Sequence, residues 1–363
     1  MEKKILIVQR FYYNFREGFF DYLCDINFKF KLINATISRG KVKVHDEVKQ
    51  KSFIVRTFYF FWGEKYVIFP FLFFKLIQLN PDIIVSEGGA NTVNNLAIFL
   101  YCKFFRRKYI IWDLGKGFAN FGNSPMRRLY MRLYIYLLRH SAYIFGYNTL
   151  SKKYFLSLGF DESKVIILNN TVDTRKIKRI KSGYIPCIPD ELSKQVSKGY
   201  TFLIYVGALI KSKNIEDLAD LMKMLGDKYY LIIVGEGTPA YISELEKSFR
   251  GTNHVFAGYK KNEQLFPYYS LSAFSVLPGL GGLSINQSMA FGVPVICRSA
   301  DGAEKDLITP DKTGYIYENL CEAYDFIVSK SPDDWKRMGQ NAEISLNSNH
   351  SVENMMTRFI SYL

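Results

Sequence analysis

The sequence predicts an α/β protein of two doubly wound domains, each a parallel sheet covered by helices, facing each other across a cleft. Three observations predict it. Short apolar runs alternate with helical stretches through residues 1–173, the pattern of parallel strands joined by helical crossovers. The alternation stops over residues 174–200, where Lys, Ser, Gly and Pro cluster, and restarts at residue 201. The length of 363 residues corresponds to about two domains at roughly 150 residues each.

In the first half, residues 5–8 (ILIV) form a buried-strand run and residues 15–23 a helical one. Strands follow at 82–86 (DIIVS), 109–112, 142–146 and 165–168, with a helix at 94–105. Ser124-Pro125 marks a helix start, a capping Ser before Pro at the first helical position, and that helix runs to about Arg139. Residues 174–200 read as a connection between domains. In the second half, strands are expected at 202–206, 229–234, 254–256, 274–277 and 295–297. Helices are expected at 215–225, 241–249, 265–269 and 285–291, with more from Glu322 onward. The domains are thus 1–173 and 201–345, with a C-terminal helix in 346–363 expected to pack back on the first.

Composition narrows the function. With 48% apolar, 16% aromatic and 23% charged residues, the chain is not intrinsically disordered. Five scattered cysteines and four histidines show neither a disulfide framework nor metal-ligand spacing, and a reducing cytoplasm is expected. Lys3 and Lys4 lead into a short strand, with no apolar leader core. The apolar stretch 53–79 is broken by Arg56, Gly63, Glu64, Lys65, Pro70 and Lys75. Its longest uncharged run, 66–74, is far short of the roughly 20 residues a span needs, so it reads as a buried strand or loop followed by a core helix.

The net charge is +14 and unevenly placed. Residues 1–180 hold 30 basic and 13 acidic side chains, a balance of +17, and residues 181–363 hold 18 and 21, a balance of −3. Such asymmetry points to halves with different partners. Nucleic acid is one class of anion, but no helix-turn-helix or aromatic–basic RNA motif is present. On the predicted helix 126–139, Arg128, Arg132 and Arg139 fall within about 40° of one another at 100° per residue. They lie among apolar residues, which suits an anionic membrane surface or equally a core helix with a solvated arginine face.

Ligands of open α/β sheets bind beyond the carboxyl ends of the strands, and there the second half is rich in glycine. Its strands are followed by Gly207–Asn214 (GALIKSKN), Gly235-Glu236-Gly237, Gly258-Tyr259-Lys260 and Pro278–Ser284 (PGLGGLS). Gly281 and Gly282 lead through Leu283 and Ser284 into a helix, a ready anion site made of backbone amides and the helix N-terminus. Lys211 and Lys213 add positive charge. A diphosphate fits this description.

The stretch 205–315 resembles the nucleotide-sugar-binding domain of family 4 glycosyltransferases, which have the GT-B fold of two Rossmann-like domains. The resemblance is carried by YVGALIKSKN (205–214), LIIVGEG (231–237), VFAGY (255–259), LPGLGGLSINQSMAFGVPVI (277–296) and DKTGY (311–315). LNNTVDT (168–174) is similar to that family's interdomain turn, and residues 9–23 to a subgroup among bacterial surface-polysaccharide transferases. The family's E-x7-E pair is altered: its first Glu has no clear counterpart and its second aligns with Gln287. The arginine expected after the first glycine is Ala208, while the neighbouring lysine is kept as Lys213.

The resemblance implies transfer of a sugar from a nucleoside-diphosphate sugar, the co-substrate, to a glycan or lipid-linked saccharide. It implies retention of configuration and no cofactor or metal, and the absence of any Asp-x-Asp sequence is consistent with this. A peripheral place on the inner face of the plasma membrane is expected. Lys213 would stabilise charge on the departing diphosphate, or stand as a solvated lysine at a helix start. Gln287 would bond ribose or phosphate, or complete a capping box with Ser284. Gly207, Lys211, Gly235, Glu236 and Tyr259 would line the donor site; Glu236 and Tyr259 equally suit a turn and the surface. In the first half, Asp113 falls roughly where many members carry a cleft histidine near the donor sugar and is a catalytic candidate that would contact the sugar or the acceptor hydroxyl, or it serves as an N-cap or turn Asp. Arg16, Glu87 and Lys116 are candidates for the acceptor, or ordinary surface charge. A non-catalytic GT-B scaffold is the alternative, prompted by the altered Glu and Arg.

Overall fold

A computed structural model describes residues 3–13, 16–34, 46–54, 58–59, 67–115, 125–300 and 302–363. The chain divides into two compact units, residues 1–170 with 352–363, and residues 171–351.

The first unit contains β1 (Ile5–Val8), α1 (Glu17–Asp25), β2 (Phe30–Asn34), α2 (Asp46–Lys51), β3 (Ser52–Ile54), β4 (Phe58–Tyr59), β5 (Val67–Ile68) and α3 (Leu72–Leu79). It continues through β6 (Ile83–Glu87), α4 (Thr92–Phe105), β7 (Lys108–Asp113), α5 (Pro125–His140), β8 (Tyr143–Gly146), α6 (Thr149–Ser157) and β9 (Val165–Ile167). Seven strands form a sheet in the order β3-β2-β1-β6-β7-β8-β9, with every pairing parallel. β1 is buried along its whole length, as expected of a strand covered on both faces. One face packs Leu6, Ile84 and Ile111 against α3, α4 and α5. The other packs Ile7, Val85 and Trp112 against α1 and the C-terminal residues.

The second unit begins with α7 (Thr174–Gly183) and α8 (Ser193–Ser197). The stretch expected to be a linker is therefore largely helical, and Ile177, Ile180 and Leu192 enter the second unit's core. Its charges hid an amphipathic helix: Asp173 caps α7 by accepting from the amides of Arg175 and Lys176. Then follow β10 (Thr201–Val206), α9 (Glu216–Leu225), β11 (Tyr229–Val234), α10 (Pro239–Ser248), β12 (His254–Gly258), α11 (Phe266–Leu271), β13 (Ser272–Leu277) and α12 (Leu283–Ala290). The unit ends with β14 (Val295–Arg298), α13 (Ala303–Leu307), β15 (Gly314–Tyr317), α14 (Leu320–Val328) and α15 (Pro332–Asn349). Its six strands run parallel in the order β12-β11-β10-β13-β14-β15.

The chain finishes with α16 (Val352–Ser361), which belongs to the first unit. Phe359 meets Phe19 edge-on at 5.0 Å and lies 6.1 Å from Trp112. At the boundary, Asn169 accepts a 2.6 Å bond from Arg358 within the first unit, and Thr171 is bonded at 3.3 Å to Asn286 of α12 within the second.

Candidate functional site

Each sheet has a switch point where successive crossovers leave in opposite directions, the usual ligand crevice of such folds. In the second unit it lies between β10 and β13. The loop after β10 carries Gly207 to Asn214, and the loop after β13 carries Pro278 to Gly282 and feeds α12. The two loops are in direct contact. A Cβ on Gly279 would come within 2.7 Å of the Lys213 carbonyl, and the Lys213 ammonium donates to the Leu280 carbonyl. Lys213, Gly281, Gly282, Leu283 and Ser284 are thus assembled at one place.

The glycines are not equivalent. A Cβ on Gly235 would lie 1.9 Å from the Gly207 carbonyl oxygen, and one on Gly237 would lie 2.3 Å from that of Leu209. Gly207 donates to Val234 at 3.0 Å and Gly235 to Gly258 at 3.0 Å. These glycines let neighbouring strand-end loops touch one another. A Cβ on Gly281 would come within 2.7 Å of the Ile285 side chain. Gly282 differs: nothing among the described residues lies within 4 Å of its missing Cβ, and its φ is +54°. That backbone shape is nearly confined to glycine, and it turns the chain into α12 beside open space.

This corrects the capping expectation. Gly282, not Ser284, is the N-cap of α12, and among the described residues no side chain caps that terminus. Ser284 stands inside the first turn and Gln287 one turn further on. Ser284 donates its amide to Gly281, and Ile285 to Gly282, both at a long 3.3 Å. A helix start without a side-chain cap and with long amide contacts is the geometry that receives an anion.

Lys211 is turned elsewhere. Its ammonium pairs with Glu244 of α10 at 2.9 Å, with 74% of the side chain exposed, and this partner raises its pKa. Glu236 is exposed, its carbonyl accepting from the Leu209 amide at 2.8 Å, and Tyr259 is exposed too. Sequence reasoning missed Glu304, buried at the start of α13. Its carboxylate accepts from the amides of Ala300 (2.8 Å) and Gly302 (3.0 Å), which organises the loop after β14. The DGAE sequence gave no periodic or spacing signal that would single it out.

The first unit's switch point lies between β1 and β6, and side chains fill it. Glu87 pairs with the Arg10 guanidinium at 2.5 Å and accepts from the Arg10 amide at 3.0 Å and the Tyr13 hydroxyl at 3.2 Å. Burial pulls the Arg10 guanidinium down, but Glu87 outweighs it and the net shift is upward. Arg16, expected on a loop surface, is only 1% exposed. Its guanidinium stacks 3.7 Å from the Trp112 ring centre and donates to the Tyr147 hydroxyl, a desolvated cation–π contact.

Asp113 ends β7 and is 6% exposed. It accepts from the Gly115 amide at 2.8 Å and the Tyr134 hydroxyl at 2.9 Å. Burial pushes its carboxyl up, and those two bonds pull against the shift. A Cβ on Gly88 would sit 2.0 Å from Asp113 Oδ2. Asp113 is therefore a buried anchor that pins the loops after β6 and β7. Lys116 and Ser124 lie outside the described residues. Arg10, Trp112 and Tyr134 were not singled out from the sequence, because their roles depend on partners 21 to 96 residues away.

Residues 190–343 match the family model of glycosyl transferases group 1. Over 102 residues the chain is 30% identical to the putative teichuronic acid biosynthesis glycosyltransferase TuaC of Bacillus subtilis (strain 168), covering 27% of this chain and 25% of that relative. The chain thus spans about a quarter of the curated relative's length. Among solved structures, it is similar to Anabaena Alr3699/HepE in complex with UDP, with a TM-score of 0.76 at 14% identity and all of both chains covered. It is also similar to the apo form of the lipopolysaccharide outer core galactosyltransferase WaaB, with a TM-score of 0.69 at 13% identity, covering 99% of this chain and 100% of that one. These likenesses show the GT-B fold.

Proposed function

We propose that the protein transfers a sugar from a nucleoside-diphosphate sugar to a glycan or lipid-linked saccharide in the synthesis of a bacterial surface polysaccharide. The reaction retains anomeric configuration, needs no metal, and takes place with the protein peripheral on the inner face of the plasma membrane. The observation that carries this reading is the uncapped start of α12 at Gly282, with Lys213 bonded to the adjoining Leu280 carbonyl.

As the sugar leaves, negative charge grows on the diphosphate. Amides at Gly282, Leu283 and Ser284 and the α12 dipole receive part of it, and the Lys213 ammonium the rest. Gln287, one turn along α12, reaches ribose or phosphate. Gly207, Gly235, Glu236 and Tyr259 border the nucleoside side. Because the Alr3699/HepE structure contains UDP, a UDP-sugar is the first donor to test. In the first unit, Glu87, Asp113 and Arg16 shape the acceptor side by fixing loops.

A thermal-shift series with UDP-, GDP- and dTDP-sugars tests donor binding, since a ligand of the native state alone raises the midpoint. A transfer assay with the native lipid-linked acceptor tests catalysis. A raised midpoint without turnover would favour the non-catalytic scaffold instead, a reading that Ala208 keeps open in place of the family arginine. No shift with any nucleotide sugar would sink the transferase reading.

A further inference from the structure

Helices α3, α4 and α5 stand side by side over one face of the first sheet, with α4 in contact with both neighbours. Their inward residues, among them Leu72, Ile98 and Leu137, fill the core. What they turn outward is also apolar. On α4, Val93, Leu96, Leu100 and Phe104 recur at spacings of three and four and are all exposed, Phe104 by 79%. Phe71 precedes α3, and Phe74 and Ile77 lie on it; all three are exposed, Phe74 by 68%. On α5, Met126 and Leu129 are exposed, Leu129 by 64%. A helix apolar all round normally has neighbours on every side, and apolar patches that extend over several elements mark interaction surfaces.

The charge on this face has one sign. The segments LFFKLIQL, TVNNLAIFLYCKFF and PMRRLYMRLYIYLLRH contain no Asp or Glu, against Lys75, Lys103, Arg127, Arg128, Arg132 and Arg139. Just past the C-terminus of α4, a pocket of about 590 Å³ is lined by Arg106, Arg107, Lys108, Lys3 and Lys4. Asp82 and Leu363 also line this pocket: Asp82 is paired with Arg107, and Lys3 and Lys108 each donate to the Leu363 main-chain oxygen, which leaves Lys4 and Arg106 as its remaining lining cations.

We propose that the outward faces of α3, α4 and α5 dock the protein on an anionic lipid bilayer, with the pocket at the end of α4 taking lipid phosphates. A second copy of the chain is a poor occupant, since a two-fold contact would set this cationic face against itself. Nucleic acid would leave the phenylalanines and leucines unburied. A bilayer with acidic headgroups satisfies both features: the apolar side chains enter the acyl boundary and the arginines meet phosphate. The inference deepens the reading of a membrane-bound acceptor and rests on it for its purpose. Its test needs neither donor nor acceptor, so failure here leaves sugar transfer standing, and failure of transfer leaves docking standing.

The test is co-sedimentation of the full chain with vesicles of phosphatidylglycerol and phosphatidylcholine mixed, and of phosphatidylcholine alone. Binding is expected to the mixed vesicles, at least tenfold weaker to phosphatidylcholine alone, and reduced by salt. Leu100→Glu with Phe104→Glu should weaken it at least tenfold with an unchanged thermal midpoint. Arg128→Ser with Arg132→Ser should weaken it by about fivefold per charge removed. Should the glutamate pair unfold the protein, hydrogen exchange of the wild-type chain decides: vesicles must protect the α3–α5 region. No vesicle binding by the wild type, binding that survives the glutamate pair, or no added protection in α3–α5 would overturn the proposal. So would lipid-free self-association that the glutamate pair abolishes, which would assign the face to a second copy.

Discussion

At the second unit's switch point the chain offers backbone: the Gly282 turn, the first amides of α12 and one lysine. At the first unit's switch point it offers side chains already bonded to one another: Arg10 with Glu87, Arg16 on Trp112, Asp113 with Tyr134. One topology thus ends in an uncapped cradle in one unit and in a locked polar cluster in the other. The contrast explains the charge distribution. Amides and a helix dipole receive an anion without net charge, so a half with a balance of −3 can still be the diphosphate side. Among the described residues of the first unit, Arg10 and Arg16 sit in internal contacts and Lys103, Arg128, Arg132 and Arg139 on outer helices.

The largest effect expected from breaking this contrast is at Lys213. Lys213→Ala should lower kcat by about 10²–10³ while changing donor affinity far less, because its charge counts most in the transition state. Steady-state kinetics beside a thermal-shift titration would show this, and wild-type turnover would remove Lys213 from the chemistry. Next comes Glu87. Glu87→Gln breaks a largely buried pair and should cost roughly 3 kcal/mol of stability, read by denaturant unfolding. Replacing Arg10 and Glu87 together by Met and Leu should recover much of that loss. Impaired acceptor use at unchanged stability would instead make Glu87 a ligand.

A third pair of variants sharpens the difference among glycines. Gly235→Ala drives a methyl into the Gly207 carbonyl and should cost about 1–3 kcal/mol. Gly282→Ala meets no atom, so its cost is backbone strain of about 1–3 kcal/mol, and it should weaken the nucleotide-dependent thermal shift more than Gly235→Ala does. Equal loss of that shift in both would mean that Gly282 has no special place at the ligand.

The smallest effect concerns pH. The Asp113 carboxyl is raised by burial, so the folded chain holds its proton more tightly than the unfolded chain. Its contribution is full below the unfolded value of about 3.9 and is lost as pH rises through the folded value. Asp113→Asn should flatten that limb, measured as unfolding midpoints from pH 4 to 7. A limb that persists belongs to another group.

Much of the fold was legible because its signals are local. Runs such as ILIV and LIIV are strands buried on both faces, and their regular alternation with helices fixes a parallel sheet. The glycine-rich strand ends and Lys213 were legible too, because backbone access and a cation are written in residue type. The segment 174–200 was misread, since its lysines masked Ile177 and Ile180 at helical spacing. Strand β15 carried too short an apolar run to stand out.

What the sequence determined by itself is therefore the class of fold, the glycine-bearing ends and the cationic first half. Tertiary structure alone decided which glycine borders open space and which faces a neighbouring loop, because the distinction is a distance of a few ångströms between loops far apart in the chain. It also decided that Gly282 replaces Ser284 as the cap of α12, through a positive φ that no composition reports. And it turned Arg16 from a loop cation into a buried one, since only folding brings Trp112 and Tyr147 against its guanidinium.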